Sequence, residues 1–540
     1  MAVRRTSLAT ARTLSCHIVA CIGLMAVAAC FGRKTQRVFR LLSPDDTGVA
    51  FANTITTNDS LNVLTDAYVY NGAGVGVGDI DNDGLPDIFF AGNMVTSRLY
   101  LNKGHMRFED ITSKAGVTTN RWATGVTMVD INNDGYLDIY VSVSGPPWSK
   151  AADRANLLFV NNGNGTFTEE AAKYGIADSG FTTQSVFLDY DGDGCLDLFL
   201  LNNSPNDFTR GGVASSPMGL RGKTPGSYNQ LYKNDCQGKF TDVSGQAGIV
   251  QDAGYGLGVA VGDLNDDGWP DIYVSNDIAP NDVVYINNGN GTFTDKAAKM
   301  LKHSSFAGMG VDIADFNDDG WPDILQVDML PRALSERKKM SGFATYSSLL
   351  EARSRGFRDD FTANALQLSN GVTKDGDVIF SDIAHQAGLA ATDWSWSPLF
   401  ADFDNDGRKD IFISNGYPKA VIDYDYQTAM ASVHRGQDSA AYRKARRDIL
   451  DKLYPYDPPN YFFRNTGNLS FADETKNWGG ERPSFSYGAA YADLDNDGRL
   501  DLVVNNIDAP AFIYENVAPQ DDAHHFLEVT LEGESPRQLT

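Results

Sequence analysis

Seven segments of this 540-residue chain place Asp or Asn at alternate positions of a glycine-bearing loop, in the pattern Asp-x-(Asp/Asn)-x-Asp-Gly-x-x-Asp. Alternating oxygen ligands on a tight turn suit a hard cation such as Ca²⁺, which takes six to eight oxygens in flexible geometry. In the first loop the set is the side chains of Asp79, Asp81, Asp83 and Asp87 with the carbonyl of Leu85, and Gly84 permits the turn. The second loop offers Asp130, Asn132, Asp134, the Tyr136 carbonyl and Asp138, and the third Asp189, Asp191, Asp193, the Cys195 carbonyl and Asp197. The fourth offers Asp263, Asn265, Asp267, Trp269 and Asp271, and the fifth Asp315, Asn317, Asp319, Trp321 and Asp323. The sixth offers Asp402, Asp404, Asp406, Arg408 and Asp410, and the seventh Asp493, Asp495, Asp497, Arg499 and Asp501, the seventh position always acting through its carbonyl.

An EF-hand is excluded by residue type. It requires a bidentate Glu at loop position 12, where this chain has Phe90, Val141, Leu200, Val274, Gln326, Ile413 and Val504. One such loop alone would read as an Asp/Gly turn without metal. Seven copies at one place in a repeat are a different matter, because three or four carboxylates within a few ångströms repel one another unless a cation joins them. Up to seven structural Ca²⁺ are therefore expected. Identical spacing throughout argues for clips rather than signalling switches.

The elements that hold the loops repeat with them. Loop starts are separated by 51, 59, 74, 52, 87 and 91 residues, a minimum that suits four short strands with insertions in the longer repeats. A short strand precedes each loop, as in GAGVGVG (72–78) and GLGVAVG (256–262), and five of the seven carry Gly five residues before the first Asp. Such a glycine fits a crowded inner edge where side chains would meet across a channel. The last Asp opens a second, apolar strand (DIFF, DIYV, DLFL, DIYV, DILQ, DIFI, DLVV). A third strand ends near Asn and a fourth begins at Phe108, Phe167, Phe240, Phe293, Phe380 or Phe471. The expected fold is all-β, a seven-bladed propeller with helical insertions. The seventh repeat lacks its fourth strand, and Phe39-Arg-Leu-Leu-Ser parallels Phe108-Glu-Asp-Ile-Thr, so residues near 38–43 are predicted to complete the last blade and close the ring.

Charge agrees with this reading. Asp+Glu number 70 against 45 Lys+Arg, a formal net charge of −25, and the first, third, fifth and ninth loop positions together hold 25 Asp. Seven Ca²⁺ would leave about −11, still unfavourable for nucleic acid, which is not expected as a partner.

The amino terminus reads as an export leader: Arg4, Arg5 and Arg12, an apolar stretch over Ser15–Ala29, then Val27-Ala28-Ala29-Cys30. It resembles a lipoprotein signal peptide over residues 1–29, which implies lipidation of Cys30, a linker over 30–37, and membrane attachment through the acyl chains alone. An ordinary cleaved signal peptide is the alternative. Three of five cysteines lie in this leader, so Cys195 and Cys236 make at most one bridge, and two free thiols fit equally well.

The repeats resemble the FG-GAP/VCBS proteins, whose blades are those of the integrin α-subunit propeller. They resemble more closely bacterial proteins in which such repeats precede an ASPIC/UnbV domain, a family that includes cartilage acidic protein. The residues that carry this are the seven loops, the turns Asn162-Gly-Asn-Gly-Thr-Phe167 and Asn288-Gly-Asn-Gly-Thr-Phe293, Asp328-Met-Leu-Pro331 and Asp393-Trp-Ser-Trp396. The resemblance implies a propeller over 38–520 and the start of an ASPIC/UnbV domain, cut short, over 521–540. It also implies an outer-membrane lipoprotein of a Gram-negative bacterium, on the surface or periplasmic face.

Insertions at 203–228, 329–364 and 415–459 are the natural places for partner contacts, since loops on a rigid scaffold carry binding. They hold Arg210, Arg221 and Lys223, then Arg332, Arg337, Lys338 and Lys339, then a charged helix around Ala440–Leu453 with Tyr424, Tyr426, Tyr454 and Tyr456. The seven His are scattered and no HExxH, GxSxG or P-loop occurs, so no catalytic residue is assigned. The expected role is a binding or adhesion module for a protein or glycan; the alternative is a calcium-dependent polysaccharide lyase or hydrolase with its site on one propeller face.

Overall fold

The second strand of every blade is apolar on both faces, and the fold explains why. In the first blade, Phe89 packs toward the second blade with Ile139 and Val141, while Ile88 and Phe90 pack toward the seventh with Val503 and Ile513. A strand sandwiched between two neighbours buries successive side chains on opposite faces, so its sequence reads as an unbroken apolar run. Seven apolar clusters result, one at each interface between adjacent blades.

The computed structural model describes residues 37–204, 226–251, 254–278, 280–340, 346–354, 356–374, 376–434, 439–520 and Phe526. The chain divides at Arg37/Val38, and the propeller is the unit from Val38 onward. The leader, Cys30, nearly all of the 521–540 tail, and Arg210, Arg221 and Lys223 lie outside the described residues. Among the described residues no helix is long and apolar enough to cross a membrane.

Each blade is a four-stranded antiparallel sheet; the first runs Val75–Gly78, Asp87–Phe90, Arg98–Asn102 and Phe108–Asp110. The next five start at Ala123, Thr182, Gly256, Val311 and Ser395 and end at Glu169, Asp242, Asp295, Asp382 and Asp473. The seventh contains Ser486–Ala492, Asp501–Asn506 and Phe512–Asn516, and its fourth strand is Phe39–Leu41, with Phe39 opposite Asn516 and Leu41 opposite Tyr514. The amino-terminal strand thus closes the ring as expected. Phe39 is fully buried, stacked on Phe462 at 4.9 Å and edge-on to Phe403 and Tyr514.

The first strands form the inner ring, each beside the first strands of the preceding and following blades. The crowding at their glycines is lateral rather than across the channel. A Cβ on Gly258 would lie 2.5 Å from the Met309 carbonyl oxygen, and one on Gly488 would lie 2.6 Å from the Gly74 Cα. The neighbouring blade's backbone is therefore what excludes a side chain.

Helices Leu334–Lys339, Tyr346–Ser354, Tyr424–Ala431 and Ser439–Leu450 occupy the later insertions, the last close to the charged helix expected. The tyrosines there do not form one patch. Tyr426 is buried, Tyr456 donates to Asp393 at 2.5 Å, and Tyr424 and Tyr454 are exposed, Tyr454 donating to Asp423. Arg332 is likewise engaged within the fold, paired with Asp473 at 2.6 Å and set over the Tyr461 ring. One further insertion carried no sequence signal: residues 51–72 pass over the propeller, burying Ile55, Leu61, Val63, Val69 and Tyr70 against the fifth and sixth blades.

Candidate metal centres

Every aspartate loop joins the first strand of a blade to its second, so all seven lie on one face. The local folding is the same in each. The first Asp accepts the amides of positions five and six, as Asp263 does from Asp267 at 3.1 Å and Gly268 at 2.8 Å. The fifth accepts the amide of position seven, as Asp267 does from Trp269 at 3.0 Å. Position four takes left-handed backbone (Asn82, Asn133, Gly192, Asp266, Asp318, Asn405, Asn496), where Asn, Asp and Gly are tolerated best.

The ninth Asp has a structural duty that spacing did not reveal. At most 1% of it is exposed in any blade. One oxygen accepts the amide of loop position two and the other an amide near the end of the third strand. Asp87 takes Ile80 at 3.0 Å and Asn102 at 2.7 Å, Asp138 takes Ile131 and Asn161, Asp271 takes Leu264 and Asn287, and Asp501 takes Leu494 and Asn516. Asp197, Asp323 and Asp410 bond in the same way, Asp323 using Ser369. Burial raises these carboxyls, to about 7 for Asp87, Asp138, Asp271 and Asp323, to about 8 for Asp197 and Asp501, and well above the usual range for Asp410.

The Asn at the third-strand end links blades. Its side-chain amide donates to the position-two carbonyl of the preceding blade: Asn102 to Leu494, Asn161 to Ile80, Asn287 to Tyr190, Asn465 to Phe316 and Asn516 to Phe403, all at 2.8–2.9 Å. Loop, third strand and neighbouring blade are thereby locked as one repeating unit. This unit is the FG-GAP-like repeat, whose family matches residues 53–141, 148–200, 219–274, 263–325 and 449–504, more than half of the sequence. The chain belongs to the FG-GAP-like repeat family.

Within this FG-GAP-like propeller the loops fall into two kinds. Where position three is Asp, carboxylate oxygens converge: Asp79, Asp81 and Asp87 lie within 4.8 Å of one another, as do Asp189, Asp191 and Asp197, Asp402, Asp404 and Asp410, and Asp493, Asp495 and Asp497. Burial and the adjacent carboxylates push Asp404 and Asp497 up to about 6. Where position three is Asn, its amide donates to the fifth-position carboxylate, as Asn132 does to Asp134, Asn265 to Asp267 and Asn317 to Asp319.

Two observations bear on whether these residues suit a calcium ion. The third-position Oδ1 of Asp191, Asn265 and Asp495 is buried without a hydrogen-bond partner, an unsatisfied state expected of a ligand oxygen. Among the described residues no hydrogen bond ends on the carbonyl of Leu85, Tyr136, Cys195, Trp269, Trp321, Arg408 or Arg499. The donor set fits a hard cation.

The third loop departs from the rest. Cys195 and Cys236 form a disulfide, tying position seven to the turn after the third strand. Lys233 reaches into the same loop, paired with Asp191 and, at 3.0 Å, with Asp193. Arg499 and Arg408 pair with the fifth-position Asp497 and Asp406 of their own loops.

Cartilage acidic protein 1 of Xenopus tropicalis is 26% identical over 451 residues, 80% of this chain and 57% of the relative. The human protein is 26% identical over 452 residues, 80% and 56%. The chain thus spans just over half the length of these curated relatives. Among solved structures it is similar to an Agrocybe aegerita lectin described as recognising non-reducing terminal N-acetylglucosamine (15% identity, 80% of this chain and 84% of that one, TM-score 0.38). It is also similar to rhamnogalacturonan lyase YesW (11% identity, 84% and 73%, TM-score 0.40).

Proposed function

We propose that this chain is a calcium-clipped propeller that serves as an exported binding module for a protein or glycan, anchored by lipid at Cys30 to the outer membrane. The observation that carries the calcium reading is the orphaned third-position Oδ1 of Asp495 beside the converging carboxylates of Asp493, Asp495 and Asp497, with a second such oxygen on Asp191 in the third-loop cluster and a third on Asn265. A bound Ca²⁺ supplies positive charge that offsets carboxylate repulsion. The chain's own residues do the rest. First-position carboxylates hold each turn closed, ninth-position carboxylates fasten the loop to the third strand, and the Asn amides fasten one blade to the previous one.

At calcium about tenfold above Kd, linkage contributes roughly 1.4 kcal/mol per site, on the order of 8 kcal/mol for the six loops other than the third, where Lys233 already pairs with Asp191 and Asp193. Removing calcium is expected to lower the melting temperature markedly and to reduce binding of the full-length product to target surfaces. A melt unchanged by EGTA would refute structural calcium, and equal surface binding with and without calcium would refute a calcium-dependent module. The anchor is tested separately, by labelling with radioactive palmitate, which Cys30→Ser should abolish.

A further inference from the structure

The end of the inner ring opposite the aspartate loops forms a partly open cavity of about 240 Å³ on the propeller axis. Its wall contains the opening residues of the first strands from all seven blades, among them Gly74, Thr124, Thr183, Leu257, Gly310 and Gly488. The 51–72 insertion lies against it through Asp66, Ala67, Tyr68, Asn71 and Gly72. That segment is held by distant blades: the Tyr68 hydroxyl donates to buried Asp277 of the fourth blade at 3.0 Å, and the Tyr417 hydroxyl of the sixth donates to the Ala67 carbonyl at 3.3 Å. The cavity is thus built by converging elements and preformed.

Its chemistry is mixed in a particular way. Trp122, Trp396, Tyr487 and Tyr68 contribute aromatic surface. Trp396 has its indole N–H committed to the Gly416 carbonyl at 2.8 Å and its ring 4.5 Å from that of Tyr487, so it offers ring area rather than a donor. Asn71, Ser144, Gln184 and Ser397 contribute amide and hydroxyl groups. Among the described lining residues there is no Lys, Arg or His, and Asp66 is the one carboxylate, accepting the Tyr68 amide at 3.0 Å.

We propose that this axial cavity binds one neutral sugar unit, its C–H face on the tryptophan rings and its hydroxyls on the amide and hydroxyl groups. This deepens the binding-module reading and rests on it. The negative face of an aromatic ring attracts polarised C–H groups, and a pyranose presents such a face with donors and acceptors around its edge. An anionic sugar would enter an acidic protein with no cation to meet it. A quaternary ammonium would suit the rings but leave the surrounding amides and hydroxyls without partners. The volume lies below the ~300–1,000 Å³ of sites for larger ligands and is enough to seat one ring between the walls.

The test uses the calcium-loaded full chain and intrinsic tryptophan fluorescence, titrated with glucose, galactose, mannose and N-acetylglucosamine, and in parallel with glucuronate and choline. A saturable response to at least one neutral sugar is expected, weakened tenfold or more by Trp122→Ala, retained by Trp122→Phe and blocked by Ser144→Phe, with melting temperatures showing that the variants fold. The proposal is overturned if no neutral sugar responds up to about 50 mM, if glucuronate or choline binds in preference, or if Trp122→Ala and Ser144→Phe bind as the parent does. Sugar silence with calcium-dependent surface binding retained removes this site and leaves the binding-module reading standing.

Discussion

Two aspartates eight residues apart in each loop look alike in sequence and do different work. Asp263 faces its own turn, while Asp271 is buried and satisfies two backbone amides of separate segments, Leu264 and Asn287. Asp271→Ala should therefore destabilise the propeller with or without calcium, by about 2–4 kcal/mol, because two buried amides lose their acceptors. Asp263→Asn should act mainly through the metal, lowering the melting temperature in calcium and changing it little in chelator; denaturant melts in both conditions separate the two. In the third loop the Lys233 ammonium already stands where a cation would neutralise Asp191 and Asp193. Lys233→Ala should raise the calcium bound per chain, measured by equilibrium dialysis with metal analysis, and an unchanged stoichiometry would mean that Lys233 does not compete.

At the scale of elements, closure depends on three residues far from the strand they complete. Phe39–Leu41 covers the otherwise open edge of Phe512–Asn516, with Phe39 buried among Phe403, Phe462, Trp478 and Tyr514. Phe39→Ala should cost about 3–5 kcal/mol, the range for emptying a buried aromatic site. Loss of the closing strand should also expose a sheet edge prone to pairing with other chains. Calorimetry of Phe39→Ala and light scattering of a chain begun after Ser43 test the two claims, and a truncated chain that stays monomeric and melts normally would overturn them. The inter-blade bonds from Asn102, Asn161, Asn287, Asn465 and Asn516 add to this closure as side-chain links between blades.

At the scale of the molecule, acid groups lie at both ends of the ring. Away from the loops, burial raises Asp277, Asp328 and Asp360 to about 7 and Asp282 and Asp312 to about 6, from 3.8. The folded protein then holds protons that the unfolded chain has released. The stability from these groups is complete below about pH 4 and lost as pH rises through about 6–7. Without calcium the ninth-position aspartates act in the same sense. The metal-free propeller should melt higher at about pH 5 than at about pH 8. Asp277→Asn, which keeps an acceptor for Tyr68, should reduce that difference; an equal or reversed slope would count against buried, protonated aspartates.

Much of this architecture was legible in the residues. The loop signature, the Gly before it and the apolar strand after it repeat seven times because each blade solves the same local problem, and a turn or a doubly buried strand leaves its mark in consecutive residues. Phe39 could be matched to Phe108 for the same reason. What the chain order hides is which distant groups meet. The dual bonding of the ninth Asp, the Asn bridges to the preceding blade and the lateral press of inner glycines all join segments that are separate in sequence. So do the Cys195–Cys236 bond, the Lys233 contact and the 51–72 segment against the axial cavity. The ninth Asp, the third-strand Asn and the inner Gly do repeat in the sequence, but their bonding partners do not stand beside them there, and the disulfide, the Lys233 contact and the 51–72 segment do not repeat at all.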